Sequence, residues 1–244
     1  MSVLAFRSWA ATHPGARRTH NEDSYVDRPE LGLWAVADGA GGREAGEVAA
    51  WMIADMLGSI PSGLSAAALH EEVQSRIGQA HQKLRAEAAR RGERAVIAAA
   101  LVVMLAREDQ FTCLWAGDAR AYLLREGVLS QLSHDHSLAQ ALVDAGAIGA
   151  AEMAAHPRAD VLTRAVGADL ETLALDEREG TLVVGDRLLL CSDGISKSLA
   201  PAELAALLGA PEGVAPSELL LAAALGREAA DNITAVAIEV RAPS

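Results

Sequence analysis

Residues 31–42 read LGLWAVADGAGG, and this stretch decides the fold. Its first seven residues contain no charge and stop abruptly at Asp38-Gly39, a pattern typical of a buried strand. Glycine beside a carboxylate lets the main chain approach a ligand closely. We therefore predict a buried strand over residues 31–37 that carries Asp38 just beyond its end.

Short strands and longer helices make up the rest of the chain. Apolar residues recur every three or four positions from Leu69 to Ala88, which predicts a long amphipathic helix. Clustered strands joined by tight turns indicate antiparallel sheets covered by helices. The other predicted elements are helices over 44–57, 136–145, 150–155, 201–208 and 217–227, and strands over 24–26, 95–106, 111–116, 121–124, 128–132, 187–191 and 233–240.

Composition argues against several classes of protein. The 244 residues, 51% of them hydrophobic, fit a single domain over residues 1–244 with a sizeable core. A formal net charge of -12 disfavours nucleic acid and anionic membranes as partners. Cys113 and Cys191 lie in apolar runs and are expected to be buried thiols in a reducing compartment. Because no secretory signal or membrane-spanning run is visible, we expect a soluble, cytoplasmic protein.

Acidic residues stand at the ends of the predicted strands. In antiparallel sheets, the ends of outgoing strands and the starts of returning strands share an edge, so these side chains are expected on one rim. Clustered carboxylates repel one another unless cations lie between them. An oxygen-only ligand set suits Mg²⁺ or Mn²⁺ rather than Zn²⁺. Singly, each Asp-Gly or Asp-Asn pair is also compatible with an ordinary turn. The acids are Glu22, Asp23, Asp38, Asp118, Asp193 and Asp231.

Five motifs, in family order, resemble those of the metal-dependent protein serine/threonine phosphatases of the PP2C or PPM type. They are RTHNED at 18–23, DGAGG at 38–42, GDAR at 117–120, SDG at 192–194 and DNIT at 231–234. Residues 134–167 resemble the flap segment of bacterial members. The resemblance covers nearly the whole chain. It implies an α+β fold, a four-layer α-β-β-α sandwich with two antiparallel central sheets flanked by helices.

The resemblance also implies a role for each acid. Asp38 matches an aspartate that bridges two Mn²⁺ or Mg²⁺ ions, and the carbonyl of Gly39 matches a ligand of one of them. Asp193 and Asp231 match ligands of the second ion, and Asp118 matches a ligand of a third and weaker ion. Glu22 and Asp23 match acids that hold water beside the ions. Arg18 matches the phosphate-binding arginine of the family. The implied reaction is hydrolysis of phosphoserine or phosphothreonine by water that the ions activate.

Three positions depart from the family pattern. Ala40 stands where some eukaryotic members carry a histidine proposed as general acid, which leaves the donor of the leaving-group proton unassigned. Ala119 replaces the serine of G-D-S-R, and a family Gly-Thr-Thr is replaced near residues 98–100. Among the histidines, His136 and His156 fall in the flap-like segment and are candidates to line the cleft.

Two leading hypotheses follow: an active phosphatase, and a non-catalytic phosphoprotein-binding module of the same fold. The presence of Asp38, Asp193 and Asp231 favours the enzyme. A metal nuclease shares the two-metal chemistry, but the acidic composition argues against it. Residues 114–118 and 162–167 look similar to phosphatases that oppose a kinase in bacterial type VI secretion. We therefore expect a phosphorylated protein substrate, a cognate Ser/Thr kinase system and a monomeric chain.

Overall fold

A computed structural model describes residues 4–41, 45–92, 94–153, 156–168, 171–211 and 213–243. The strands are β1 (Ala5–His13), β2 (Asp23–Arg28), β3 (Leu33–Ala40), β4 (Ala98–Arg107), β5 (Gln110–Ala116), β6 (Arg120–Arg125), β7 (Val128–Gln131), β8 (Asp176–Thr181), β9 (Arg187–Cys191) and β10 (Ile233–Arg241). The helices are α1 (Ala45–Gly58), α2 (Ala66–Arg91), α3 (Leu138–Asp144), α4 (Ala150–Met153), α5 (Asp193–Ser198), α6 (Pro201–Leu208) and α7 (Pro216–Leu225).

The strands form two five-stranded sheets, and every pair within them is antiparallel. One sheet has the order β1-β10-β9-β6-β7 and the other has the order β2-β3-β4-β5-β8. The helices α1 and α2 cover the second sheet, and α6 and α7 cover the first. The predicted α+β fold, with two antiparallel sheets between helical layers, is confirmed.

Strand β3 shows why its sequence contains no charge before Asp38. Successive side chains of a strand point to opposite faces. Leu33 and Ala35 pack against the α1–α2 layer, whereas Trp34 and Val36 pack between the two sheets. Since both faces are buried, no position from 33 to 37 is open to a charged side chain.

Most predicted elements are present, and their ends differ by a few residues. The long helix runs from 66 to 91, beyond the predicted 69–88, because the Ser65 side chain caps it by accepting a hydrogen bond from the Ala68 amide. The strand predicted over 95–106 begins at Ala98. Residues 44, 154 and 155, at the ends of two predicted helices, lie outside the described residues, as does Gly42 of the DGAGG motif.

Residues 134–167, the flap-like segment, leave the first sheet after β7 and return to the second. The His136 amide donates to the Gly117 carbonyl at one end of the segment. At the other end, Val166 exchanges two backbone hydrogen bonds with Ala99 on β4. Both ends are thus attached beside strand termini, while α3 and α4 lie between them.

In the described part of the chain, no helix combines the length and apolar character that crossing a bilayer requires.

Candidate metal centre

Two of the predicted site residues face each other across neighbouring strands. Asp23 begins β2 and Asp38 lies near the end of β3, and the antiparallel register pairs them directly. The Gly39 amide donates to the Glu22 carbonyl at 3.1 Å, which fixes the chain that enters β2 against the end of β3. The sheet register therefore brings Glu22, Asp23 and Asp38 to one edge.

Asp193 reaches the same edge from the other sheet. It lies two residues beyond β9, in the first turn of α5. Its backbone amide donates a hydrogen bond of 3.2 Å to Asp38 Oδ2. The predicted approach of these two acids, 155 residues apart in sequence, is present in the structure.

Asp23 is held by the last strand of the facing sheet. Thr234 Oγ1 donates to Asp23 Oδ2 at 2.7 Å. The second oxygen, Oδ1, is buried and makes no hydrogen bond of ordinary geometry with any described residue. Burial raises the pKa of Asp23 to about 7, while the hydroxyls of Thr234 and Ser192 limit that rise. A buried carboxylate oxygen without a donor is a position where a cation is favoured.

The Asp231–Asn232 pair anchors the chain that precedes β2. Asn232 Oδ1 accepts from the Glu22 amide at 2.8 Å, and its Nδ2 donates to the Pro14 and His20 carbonyls. Asp231 pairs with Arg18 at 3.0 Å. The charge of Asp231 acts on both Glu22 and Asp23 by raising their pKa values, in each case after the larger effect of burial.

Asp118 follows β5 behind Gly117, whose φ of 118° lies in the region that favours glycine. Its side chain is almost completely buried. Burial, and next the charge of Asp193, raise the pKa of Asp118 to about 7. Asp118 is thus a buried carboxyl group on which the charge of Asp193 acts.

Asp38 is an acid whose pKa is raised by its burial and by the charges of several neighbouring carboxylates. Burial raises its pKa well above the usual range, and the charges of Asp193, Asp23 and Asp118 raise it further, in that order. When several buried carboxyl groups are neighbours, ionising all of them at once is costly, because the negative charges repel one another. The arrangement therefore favours either bound protons or bound cations.

The donor chemistry fits Mn²⁺ or Mg²⁺. All the candidate ligands are oxygens, the preferred ligands of hard divalent ions. A Cβ atom added to Gly39 would lie 2.5 Å from the Glu22 carbonyl oxygen, which is too close for any side chain. Only glycine therefore fits at position 39. Among the described residues, no three His, Cys, Asp or Glu side chains are arranged as ligands of one ion. An ion that three of these carboxylates share would therefore require their side chains to move toward it, with carbonyl oxygens and water completing the shell, as is usual for Mg²⁺.

Sequence reasoning missed Lys197. Its ammonium lies 2.6 Å from Asp193 Oδ2 and also donates to Asp160 in the flap-like segment. The i,i+4 spacing from Asp193 was a usable signal, because residues four apart share a helix face. The SDG motif is typical of a strand end, however, and the sequence pattern predicts no helix over residues 193–198, where the structure has α5. The contact with Asp160 had no local signal.

His136 occupies a supporting position. Its Nδ1 accepts from the Gly117 amide at 3.2 Å, and its Nε2 faces Asp176 Oδ2 at 3.2 Å. The ring stacks on Trp115 with centroids 6.3 Å apart. His136 thus holds the turn before Asp118 and is buried. The ring of His156 accepts from the Arg158 amide within the flap-like segment.

The chain belongs to the protein phosphatase 2C family, whose model matches residues 15–211. It is 31% identical over 240 residues to the serine/threonine protein phosphatase PstP of Mycobacterium tuberculosis, covering 98% of this chain and 46% of that protein. The chain thus spans about half the length of this curated relative.

Two solved structures add detail. The structure described as PppA, a key regulatory component of T6SS in Pseudomonas aeruginosa, has a TM-score of 0.89 and 40% identity, and the match covers 98% of this chain and 100% of that one. The catalytic domain of PstP in complex with two manganese ions has a TM-score of 0.82 and 30% identity, again with 98% and 100% coverage.

Proposed function

We propose that this chain is a metal-dependent phosphatase that hydrolyses phosphoserine and phosphothreonine in other proteins. The hydrogen bond from the Asp193 amide to Asp38 carries this proposal, because it joins acids of the two sheets at one rim. Family membership supports the reaction class. With Asp38, Asp193 and Asp231 all present, a working enzyme is favoured over a phosphoprotein-binding module.

Five residues are proposed to hold the ions. Asp38 would be shared between two of them, with the Gly39 carbonyl on one ion and Asp193 and Asp231 on the other. Asp118 is the candidate ligand of a third ion. When bound, Mn²⁺ or Mg²⁺ lowers the pKa of water and offsets charge on the phosphoryl oxygens. The manganese ions in the PstP catalytic domain support this choice of metal.

Glu22 and Asp23 are proposed to hold and orient water beside the ions. Glu22 is fixed through its own amide, which donates to Asn232, and Asp23 is fixed by Thr234. Carboxylates accept hydrogen bonds from water, and a carboxylate with a raised pKa is a competent proton acceptor near neutral pH. Burial raises the pKa of both side chains.

Arg18 is proposed to bind the substrate phosphate. Its side chain is 55% exposed, and its only described ion pair is the one with Asp231. An exposed ion pair contributes little to stability, so the guanidinium can exchange that contact for phosphate oxygens. The planar group can donate to two phosphate oxygens at once.

Ala40 cannot donate a proton to the leaving oxygen. We propose that water supplies this proton, which requires no further residue at the rim. The rate should then depend on the acidity of the leaving group more strongly than in an enzyme with a resident acid.

We also propose the domain organisation, location and substrate of this protein. We infer a single domain over residues 1–244 that acts as a monomer in the cytoplasm. The substrate would be a protein phosphorylated by a cognate Ser/Thr kinase. Similarity to the PppA structure, at 40% identity, supports a type VI secretion system as the context.

The direct test is hydrolysis of a phosphothreonine peptide with Mn²⁺ by the full chain. We expect turnover by the wild type and at least a 100-fold lower rate for Asp193→Asn, because mutations in a catalytic set lower rates by such factors. Asp55→Asn, an exposed change on α1, is the matched control and should leave the rate unchanged. Equal rates for wild type and Asp193→Asn would end the proposal.

A further inference from the structure

The turn that carries Asp118 crosses from one sheet to the other. Residues 117–119 follow β5 of one sheet and lead directly into β6 of the facing sheet. Asp118 itself lies outside both strands, so no strand pairing fixes it. Its position therefore depends on the contacts that hold this short crossing at its two ends.

Arg120, at the start of β6, is bound by a buried carboxylate of the flap-like segment. Its Nε donates to Asp135 Oδ1 at 2.9 Å, and its Nη2 donates to Asp135 Oδ2 at 2.6 Å. Gln131 also donates to Oδ1, at 3.1 Å. Both oxygens of this buried side chain therefore already accept hydrogen bonds. Such a two-pronged contact suits Asp135 to hold Arg120 in place rather than to bind a metal ion.

The chain around the start of the flap-like segment holds the rest of the crossing as well. The His136 amide donates to the Gly117 carbonyl at 2.8 Å, and the Gly117 amide donates back to His136 Nδ1 at 3.2 Å. The Ala121 amide donates to Ser133 Oγ at 3.0 Å, and both groups are buried. This part of the chain therefore contacts the residues on both sides of Asp118.

We propose that Asp135 is a positioning residue for Asp118, and that it acts by fixing Arg120 at the end of the crossing. The inference rests on the proposed function, in which Asp118 is the ligand of a third ion. Residues that orient metal ligands without touching the metal typically change its affinity by about 10–100-fold when they are mutated. Because Asp135 belongs to the flap-like segment, the proposal also links the position of that segment to the third ion.

Strand β6 provides a matched control at its other end. There Arg125 forms a pair of the same geometry, with its Nε 2.8 Å from Asp186 Oδ1 and its Nη2 2.6 Å from Oδ2. Asp186 is buried, as Asp135 is. Since a strand rises about 3.3 Å per residue, the two arginines lie about 16 Å apart along β6. Loss of either carboxylate breaks a similar pair, but only one of these pairs adjoins the crossing.

The test is a titration of the chelator-stripped full chain with Mn²⁺, followed by the electron paramagnetic resonance signal of the free ion. We expect the wild type to bind three ions and Asp118→Asn to lose the weakest of them. Asp135→Asn should raise the dissociation constant of that ion by about 10-fold or more and leave the two tighter ions unchanged. Asp186→Asn should leave all three unchanged. The double variant Asp118→Asn/Asp135→Asn should bind Mn²⁺ as Asp118→Asn does.

Amide hydrogen exchange in the metal-free protein gives a second readout. Asp135→Asn should speed the exchange of the Gly117 and Ala121 amides, because the residues that accept their hydrogen bonds are no longer held, and Asp186→Asn should not. If circular dichroism shows that Asp135→Asn is unfolded, Arg120→Lys makes the same comparison with Arg125→Lys. Lysine keeps the charge and loses the two-pronged contact.

Each other outcome overturns a defined claim. Equal Mn²⁺ affinities in the wild type and Asp135→Asn contradict this inference and leave the proposed function intact. Equal weakening by Asp135→Asn and Asp186→Asn also contradicts it, because the effect then follows from lost stability alone. A wild type with two ions only contradicts the third-ion role of Asp118, and this inference with it, but leaves the two-ion reaction intact. A wild type that binds no Mn²⁺ contradicts the proposed function itself.

Discussion

Thr234 on β10 donates a hydrogen bond of 2.7 Å to the buried carboxylate of Asp23 on β2, which links the two sheets beneath the acidic rim. The same threonine lies 2.7 Å, between hydroxyl oxygens, from Thr12 on β1. Since the other oxygen of Asp23 makes no hydrogen bond, Thr234 is the main protein donor to this carboxylate in the described structure.

Thr234→Val should therefore destabilise the metal-free protein. A buried polar group that loses its partner costs about 1–3 kcal/mol. Urea unfolding at pH 8 in the presence of chelator measures this loss. Thr112→Val, a partly exposed change on β5, is the matched control and should shift the unfolding free energy by about 0.5 kcal/mol or less. Equal losses in the two variants would show that the Asp23 contact does not stabilise the fold.

Trp34 should be the most costly core position among the tryptophans. It is fully buried between the sheets, with the Phe6 ring 5.5 Å away in an edge-on arrangement. Trp34→Ala should lower the unfolding free energy by about 3–5 kcal/mol, because the cavity adds to the lost burial. Trp51, which is 62% exposed on α1, provides the control, and its alanine variant should lose well under 1 kcal/mol. A small loss for Trp34→Ala would contradict the two-sheet core.

His136 should make stability depend on pH. Burial lowers its pKa, against the opposing effect of Asp176, while Arg164 and His134 add to the lowering. A lowered pKa in the folded state means that the neutral ring is favoured. Its contribution is present above the unfolded pKa of about 6.5 and is lost as the pH falls through the folded pKa.

The comparison of wild type with His136→Gln isolates this effect, since the other groups titrate in both proteins. We expect the stability advantage of the wild type, measured by urea unfolding, to be larger at pH 7.5 than at pH 5.5. A gap that widens as the pH falls would show that the ring is instead stabilised in its charged form.

The two cysteines should be unreactive in the native protein. Cys113 and Cys191 are fully buried, and burial raises the pKa of each thiol to about 12. Because the thiolate is the reactive form, a disulfide reagent at pH 8 should label neither until denaturant is added, after which it should label two. Rapid labelling of one thiol before unfolding would indicate that its strand opens locally.

The sequence predicts most reliably those strands that are buried on both faces and that end at a residue pair typical of turns. Strand β3 was predictable because both of its faces are buried, and its end at Asp38-Gly39 carries a turn signal. Strand β8 was missed because it reads DEREGT, is largely exposed and pairs only at the sheet edge with β5. Strand β1 was also missed, since its pattern mixes half-buried and exposed residues.

The contacts of the candidate site also differ in how far the sequence predicts them. Asp38 and Asp193 each lie at or just beyond the end of a buried strand, and sequence position predicts that much; their approach depends on how the two sheets pack, which no local pattern encodes. The link between Lys197 and Asp160 depends on where the flap-like segment folds back, and no spacing in the chain encodes that. The hydrogen bond that the Gly117 amide donates to His136 Nδ1 also depends on the tertiary path of this segment.

The most direct test of the account is anomalous scattering from a crystal of this chain soaked in Mn²⁺. We predict two strong manganese peaks at the rim, both within ligand distance of Asp38, with Asp193 and Asp231 on one of them. Manganese bound elsewhere, or peaks at the rim that Asp38 does not contact, would contradict the proposal that the two sheets meet to form a dinuclear centre.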